Sequence, residues 1–512
     1  MLTAFNPDKP SGFFFFINMD KTQLIYEEFQ DLVSQGYQTI PVYKRILADL
    51  LTPVAAWVHL SEKVEYAFML ESVEKGNQYA RYSYVGINPQ KIFMNKNGKT
   101  TVKVNGESTE VETSFLDLLR ETQSQYNMVK LPGIPAFTGG LVGYLGYETI
   151  AWVENIPIHT DSAIDVPDAV FMLFEDMVAF DHLKGSALVI SNVNIDALQD
   201  LQYQFDAAHA RVDVIGETLH SYMDYQTPIC VEKSEVSSNF DQDTFESAVM
   251  RAKKHIVEGD IFQLVLSQRF ERKSPVESTT LYRALRNINP SPYMFHLKIN
   301  DFNIIGASPE LLVKVEDRTI EIRPIAGTRH RGTSEIEDKA LAEDLINDEK
   351  ECAEHLMLLD LGRNDVGRVS KFGSVTIPEN MVIENYSHVM HIVSDVKGKL
   401  ASDKDSFDAL MSGFPAGTVT GAPKIRAMEI IHDLEPERRN IYSGAVGFFD
   451  FTGNMNTCIA IRTMIMKDGT VHFQSGAGIV HDSDPTKEFE ETVNKAKAIM
   501  AAIDLAENGL VA

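Results

Sequence analysis

From 444 to 480 the chain reads GAVGFFDFTGNMNTCIAIRTMIMKDGTVHFQSGAGIV. Apolar runs of strand length alternate with short polar turns. Parallel neighbours need a long crossover, usually a helix, and these turns leave no room for one. The stretch 303–327, NIIGASPELLVKVEDRTIEIRPIAG, repeats the pattern. With helix-patterned segments between such blocks, the expected class is α+β: antiparallel sheets packed together and flanked by helices, in two lobes.

Local signals elsewhere fit that class. TQLIYEEFQDLVSQG (22–36) predicts an amphipathic helix stopped by Gly36. In KIFMNKNGKTTVKVNG (91–106) Asn97-Gly98 predicts a hairpin turn. FTGGLVGYLGYETI (137–150) lacks the order of a dinucleotide loop, and tight strand packing explains its glycines better. DTFESAVMRAKKHIVEGD (243–260) predicts a helix with an Asp243–Glu246 capping box, Phe245, Val249 and Ile256 near one face, and Gly259 as its stop. IFQLVLSQRFERK (261–273) predicts a strand.

At 512 residues two large domains are expected. QTPICVEKSEVSSNF (226–240) is polar and aperiodic, so the boundary is placed there, between a domain of 19–230 and one of 240–505. Residues 1–18 read as an extension: FFFFI is short, follows Asp8 and Lys9, and makes a poor secretion signal, and Met19 precedes the first helix-like segment. A net charge of −26 disfavours nucleic acid and an anionic membrane as partners. No apolar run approaches the roughly 20 residues of a membrane helix. Three widely separated cysteines, Cys230, Cys352 and Cys458, suit a reducing, cytoplasmic setting.

Several constellations carry chemistry. EIRPIAGTRHRG (321–332) crowds Arg323, Arg329 and Arg331 around His330 and points to an anion. Gly327 and Thr328 there, and Gly476, Ala477 and Gly478 in QSGAGIV, read as strand ends whose amides an anion can approach, or as plain tight turns. Glu351 and Glu354 share a helix face, as do Glu488, Glu491 and Lys495. Two such acid pairs suit a hard cation, although spacing alone favours ordinary exposed charge. GFPAGTVTGAPKIRAME (413–429) fails as a phosphate loop, because Ala422 and Pro423 separate Gly421 from Lys424 and Ile425 follows. His391, on an apolar strand-like run, reads locally as a core histidine.

The order GDIFQLVLSQRF, SPYMFHL, GASPELL, RPIAGTRHRG, EKECAEHLMLLDLGRND, YSHVMHIVS, GTVTGAPKIRAMEII, YSGAVGFFD, IAIRT, QSGAGIVHDSDPTKEFEETVNKA resembles the chorismate-binding enzymes over about 240–500. GYQTIPVYKRILADLLTPVAAW and FMLESVEKGNQYARYSYVG resemble the large subunits of anthranilate synthases. Members that form aminodeoxychorismate typically carry Lys at the position of Ala326, and those that hydrate the ring carry Lys at the position of Gln263. Neither Ala326 nor Gln263 can do that work, so the resemblance implies direct attack by ammonia.

The resemblance further implies Mg²⁺ held by Glu354 and Glu491 with Glu351 and Glu488 around it, and chorismate bound by Gly327, Thr328, Tyr442, Arg462, Gly476, Ala477, Gly478 and Lys495. Glu310 is the implied general acid, with a pKa raised by burial and nearby carboxylates. His391 is implied in pyruvate elimination, and Gln263 completes the catalytic set. Ser72, Pro292, Tyr293 and Met294 match a tryptophan site for feedback inhibition. No Gly-x-Cys-x-Gly elbow is present, so ammonia from glutamine requires a glutamine amidotransferase subunit. Two alternatives remain at this stage: an aminodeoxychorismate synthase lacking its lysine, and a non-catalytic chain that binds tryptophan or chorismate.

Overall fold

A computed structural model describes residues 22–72, 81–221, 230–386 and 389–511. The 1–18 extension and residues 226–229 of the polar break lie outside them. Two twelve-stranded sheets dominate, and every strand pair in them is antiparallel, as the turn spacing requires.

The halves of the chain do not form a sheet each. In the first sheet Tyr66–Glu71 pairs with Tyr293–Ile299, Met294 opposite Glu71. In the second, Gly140–Leu145 pairs with Ala445–Asp450, Gly143 opposite Gly447. Residues 19–230 and 240–505 therefore each contribute strands to both sheets. The second join is a close backbone contact. A Cβ on Gly140, opposite Asp450, would lie 2.1 Å from the Phe449 carbonyl oxygen, so only glycine fits there.

The sheets face each other across one core. Phe68 of the first meets Phe174 of the second edge-on, ring centroids 4.7 Å apart, both fully buried. Gly86 and Gly306, opposite Phe68 and Phe295 on neighbouring strands, leave room for those rings. Helices cover the outer faces: Pro53–Ser61, Leu201–His220, Ser278–Ile288 and Pro485–Glu507 on the first sheet, Phe115–Ser124, Glu349–Val369 and Ser406–Gly413 on the second.

Local expectations mostly hold. The first helix is Tyr26–Ser34, with Gly36 at φ +91° beyond it. Asn97 and Gly98 both take positive φ between Lys91–Lys96 and Lys99–Val104, the twist that a two-residue hairpin needs. The helix Gln242–Val257 starts two residues earlier than the expected capping box allows. Asp241 is its N-cap and accepts from Thr244 N, while the Glu246 carboxylate takes N–H from Gln242 and O–H from Thr486. Among the described residues no helix is long and apolar enough to cross a membrane.

Candidate active site

The site forms where the first sheet opens. Thr463–Lys467 pairs with Thr470–Ile479 only as far as Phe473. Beyond it Arg462 takes φ +50° and turns away, leaving Gly476, Ala477 and Gly478 with Gln263–Lys273 on one side and, among the described residues, no strand on the other. Two of these small residues are required by neighbours. A Cβ on Gly476 would sit 2.8 Å from the Tyr442 hydroxyl, and one on Gly478 would sit 2.8 Å from Gln263 Nε2.

Gln263 donates from Nε2 to Glu354 Oε1 at 3.3 Å, and its own buried Oε1 has no partner. Glu354 lies on Glu349–Val369 and Glu491 on Pro485–Glu507. Burial raises the Glu354 pKa, the Gln263 hydrogen bond opposes, and the charges of Glu351 and Glu491 add to the rise. Glu488 is raised by burial and by Glu491. Glu354 and Glu491, on different helices, thus feel each other's charge, and all four glutamates offer the hard oxygen donors that suit a divalent cation. Among the described residues no three of them bring carboxylate oxygens within 4.8 Å of one another. Lys495 binds Glu491 at 2.8 Å, the pair that ordinary surface charge predicts, and also the Gly476 carbonyl at 3.1 Å.

Glu310 follows the strand Phe302–Ser308 and faces a cavity lined also by Arg323, Pro324, Leu361, Gly362 and Thr418. Burial pushes its pKa up to about 7, opposed by the Thr418 hydroxyl, which donates to Oε1 at 2.8 Å, and by Arg462 and Lys495. The charged neighbours are therefore cations, not the carboxylates expected from sequence; desolvation alone lifts the group. Thr418 lies in the stretch that failed as a phosphate loop, and no local signal marks its role.

Gly327 and Thr328 are not at a strand end. They lie inside Ile325–His330, at a bulge between Ala326 and Thr328 where Gly327 takes φ +66°. The bulge sets Thr328 opposite His391. The Gly327 carbonyl can only accept, so at 2.9 Å His391 Nδ1 carries the proton, shared with Thr328 Oγ1 at 3.1 Å. Nε2 is left as the acceptor. Burial holds the imidazole pKa below its usual value, the Gly327 carbonyl opposes, and Arg462 adds to the drop, so the ring is neutral at pH 7.

The arginine cluster is not an open anion site. Arg323 pairs with Glu384 and Glu379, Arg331 with Asp338, and Arg329 with Asp344, Asp348 and Glu351. Arg462, by contrast, has no ion pair among the described residues. The residue is exposed, yet protein surrounds it closely enough to lower its pKa, with Glu310 opposing.

Of the second set, Ser72 directly follows Tyr66–Glu71, and the Met294–Glu71 register brings it beside Tyr293 and Pro292. The Ser72 hydroxyl is buried without a partner. Behind it Glu71 accepts from Tyr282 Oη and from Arg286 Nε at 3.1 Å.

Comparison with known proteins adds the following. Residues 65–501 match the family model described as chorismate binding enzyme. Anthranilate synthase component 1 of Acetivibrio thermocellus is 44% identical over 485 residues, covering 92% of this chain and 97% of that protein. The Synechocystis sp. protein of the same name is 46% identical over 501 residues, 93% of this chain and 98% of its own. The crystal structure of anthranilate synthase component I from Streptococcus pneumoniae superposes with a TM-score of 0.73 at 38% identity, covering 89% of this chain and 99% of that one. The menaquinone-specific isochorismate synthase of Escherichia coli, 18% identical with a TM-score of 0.68 over 93% of this chain and 98% of its own, shares the fold.

Proposed function

The chain belongs to the chorismate-binding enzyme family, and from that premise we propose that it is the large subunit of an anthranilate synthase, converting chorismate and ammonia to anthranilate, pyruvate and water. One observation carries the choice of reaction. At the two positions where a lysine would direct the chemistry elsewhere stand Gln263, aimed at Glu354, and the apolar, buried Ala326. An amide does not deprotonate water and a methyl does not attack a ring, so the nucleophile comes from solution or from a partner.

Arg462, Lys495, Tyr442 and Thr328, with the amides of Gly476, Ala477 and Gly478, bind and orient the substrate; the Arg462 fork suits a carboxylate. Glu354 and Glu491, flanked by Glu351 and Glu488, would hold Mg²⁺. When bound, that ion draws electron density from the ring carboxylate. As ammonia attacks C2, the C4 oxygen leaves with a proton from Glu310, whose pKa near 7 keeps a proton available around neutral pH. His391 Nε2 then accepts the ring proton as pyruvate departs and the ring becomes aromatic. Ser72, Pro292, Tyr293 and Met294 form a tryptophan site, and a glutamine amidotransferase subunit supplies ammonia from glutamine.

The test is direct. Purified chain with Mg²⁺, chorismate and ammonium salt at raised pH should yield fluorescent anthranilate without any added lyase, and none from glutamine alone. Product that becomes anthranilate or aminobenzoate only after an added lyase would overturn the assignment, and absence of turnover would leave a binding protein.

A further inference from the structure

Glu351 belongs to the carboxylate cluster, yet its nearest cation is not on the facing helix. Arg329 Nη1 donates to Glu351 Oε1 at 3.2 Å and to the Thr328 carbonyl at 3.1 Å. Its Nε reaches Asp344 and its Nη2 reaches Asp348, both at 2.8 Å. The other Glu351 oxygen, Oε2, rests on the Gly327 bulge, 3.2 Å from where a Cβ would be. Glu354, one turn on, takes the Gln263 amide instead. Glu351 and Glu354 thus both hold protein N–H groups on lone pairs that a cation would use.

We infer that Arg329 is an internal counter-cation that competes with the divalent metal for Glu351 and hands it over when the metal binds. The inference rests on the metal reading of the four glutamates. Glu351 is the longest of the three Arg329 ion pairs, and Asp344 and Asp348 remain when it leaves. The exchange therefore breaks one contact of a fixed fork and strands no buried charge. Asp348 also caps the helix, accepting from Lys350 N and Glu351 N, so the handover leaves the helix start in place. At 27% side-chain exposure for Glu351 the pair is weak, worth about a two- to fivefold change in metal affinity.

Two variants with opposite expected signs test this by titration calorimetry of Mg²⁺ into the full chain without chorismate. Arg329→Gln removes the competitor and should tighten Mg²⁺ binding by about two- to fivefold. Asp344→Asn frees Arg329 to engage Glu351 more fully and should weaken it. The metal-free Arg329→Gln protein should melt lower than wild type, and Mg²⁺ should raise its Tm by more. A merely structural Arg329 predicts weaker binding in both variants, and that result, or no change in Arg329→Gln, overturns the proposal. If Arg329→Gln does not fold, Arg329→Lys keeps the charge without the fork and should bind Mg²⁺ more tightly than wild type; weaker binding overturns it. Wild-type chain that binds no Mg²⁺ while still forming anthranilate overturns it too, and removes the metal while leaving the reaction.

Discussion

Glu310 bears both chemistry and a stability cost. Its folded pKa of about 7 lies above the ordinary carboxyl value, so between those two values the unfolded chain releases this proton first and stability falls as pH rises. Above about 7 the cost is constant. Glu310→Gln should therefore melt higher than wild type at pH 8 and with it at pH 4, and its chorismate turnover should fall by about 10²–10⁴-fold. Equal melting curves at pH 8 would mean that the carboxyl is not desolvated. His391 acts later. In His391→Ala, single-turnover quenching should reveal an aminated intermediate that still carries its pyruvyl group; product analysis without that species removes the residue from elimination.

At the scale of single elements, the spacing between strands decides function. Gly478→Ala puts a Cβ 2.8 Å from Gln263 Nε2, too close for both to stay. The amide is the mobile end of a side chain, so it shifts and loses Glu354 while the strand stays paired. Turnover should drop by about tenfold or more, since misplacement near 1 Å costs as much as a hundredfold, with little change in Tm. Ser72→Phe should relieve tryptophan inhibition, because the strand register brings Ser72 beside Tyr293 and its hydroxyl is buried without a partner; unchanged inhibition would remove Ser72 from the regulatory site. What was legible from sequence divides along the same lines. The Asn97-Gly98 turn was readable because its geometry is decided by its own two residues. The start of the Gln242–Val257 helix was not, because Asp241 and Asp243 both fit a cap and only the backbone chooses. The glutamate pairs were readable as faces, since helical spacing is local. The arginine cluster misled because its neutralising acids, Glu384 and Asp344 among them, arrive from other elements.

Across the whole molecule the binding groups come from both sheets and from helices on both outer faces, all of them between Gln263 and Lys495, and the sheets that carry them are complete only when the halves are interleaved. The sequence break near 226–240 marks a boundary in composition, which reports local order and not strand partners. A fragment of residues 231–512 tests the difference. It would lose every strand on the far side of Tyr293–Ile299 in one sheet and of Ala445–Asp450 in the other. Those two strands would become edges, and they carry Met294, Phe295, Leu297, Val446 and Phe449, all buried in the intact chain. Long apolar edges with unpaired N–H and C=O groups seek other chains. The fragment alone should be insoluble or unfold without a cooperative transition, and co-expression with residues 1–230 should return a soluble complex with ammonia-dependent activity. A monomeric fragment that melts cooperatively would show that the sheets close without their N-terminal strands, and with it the argument that the site depends on interleaving would fail.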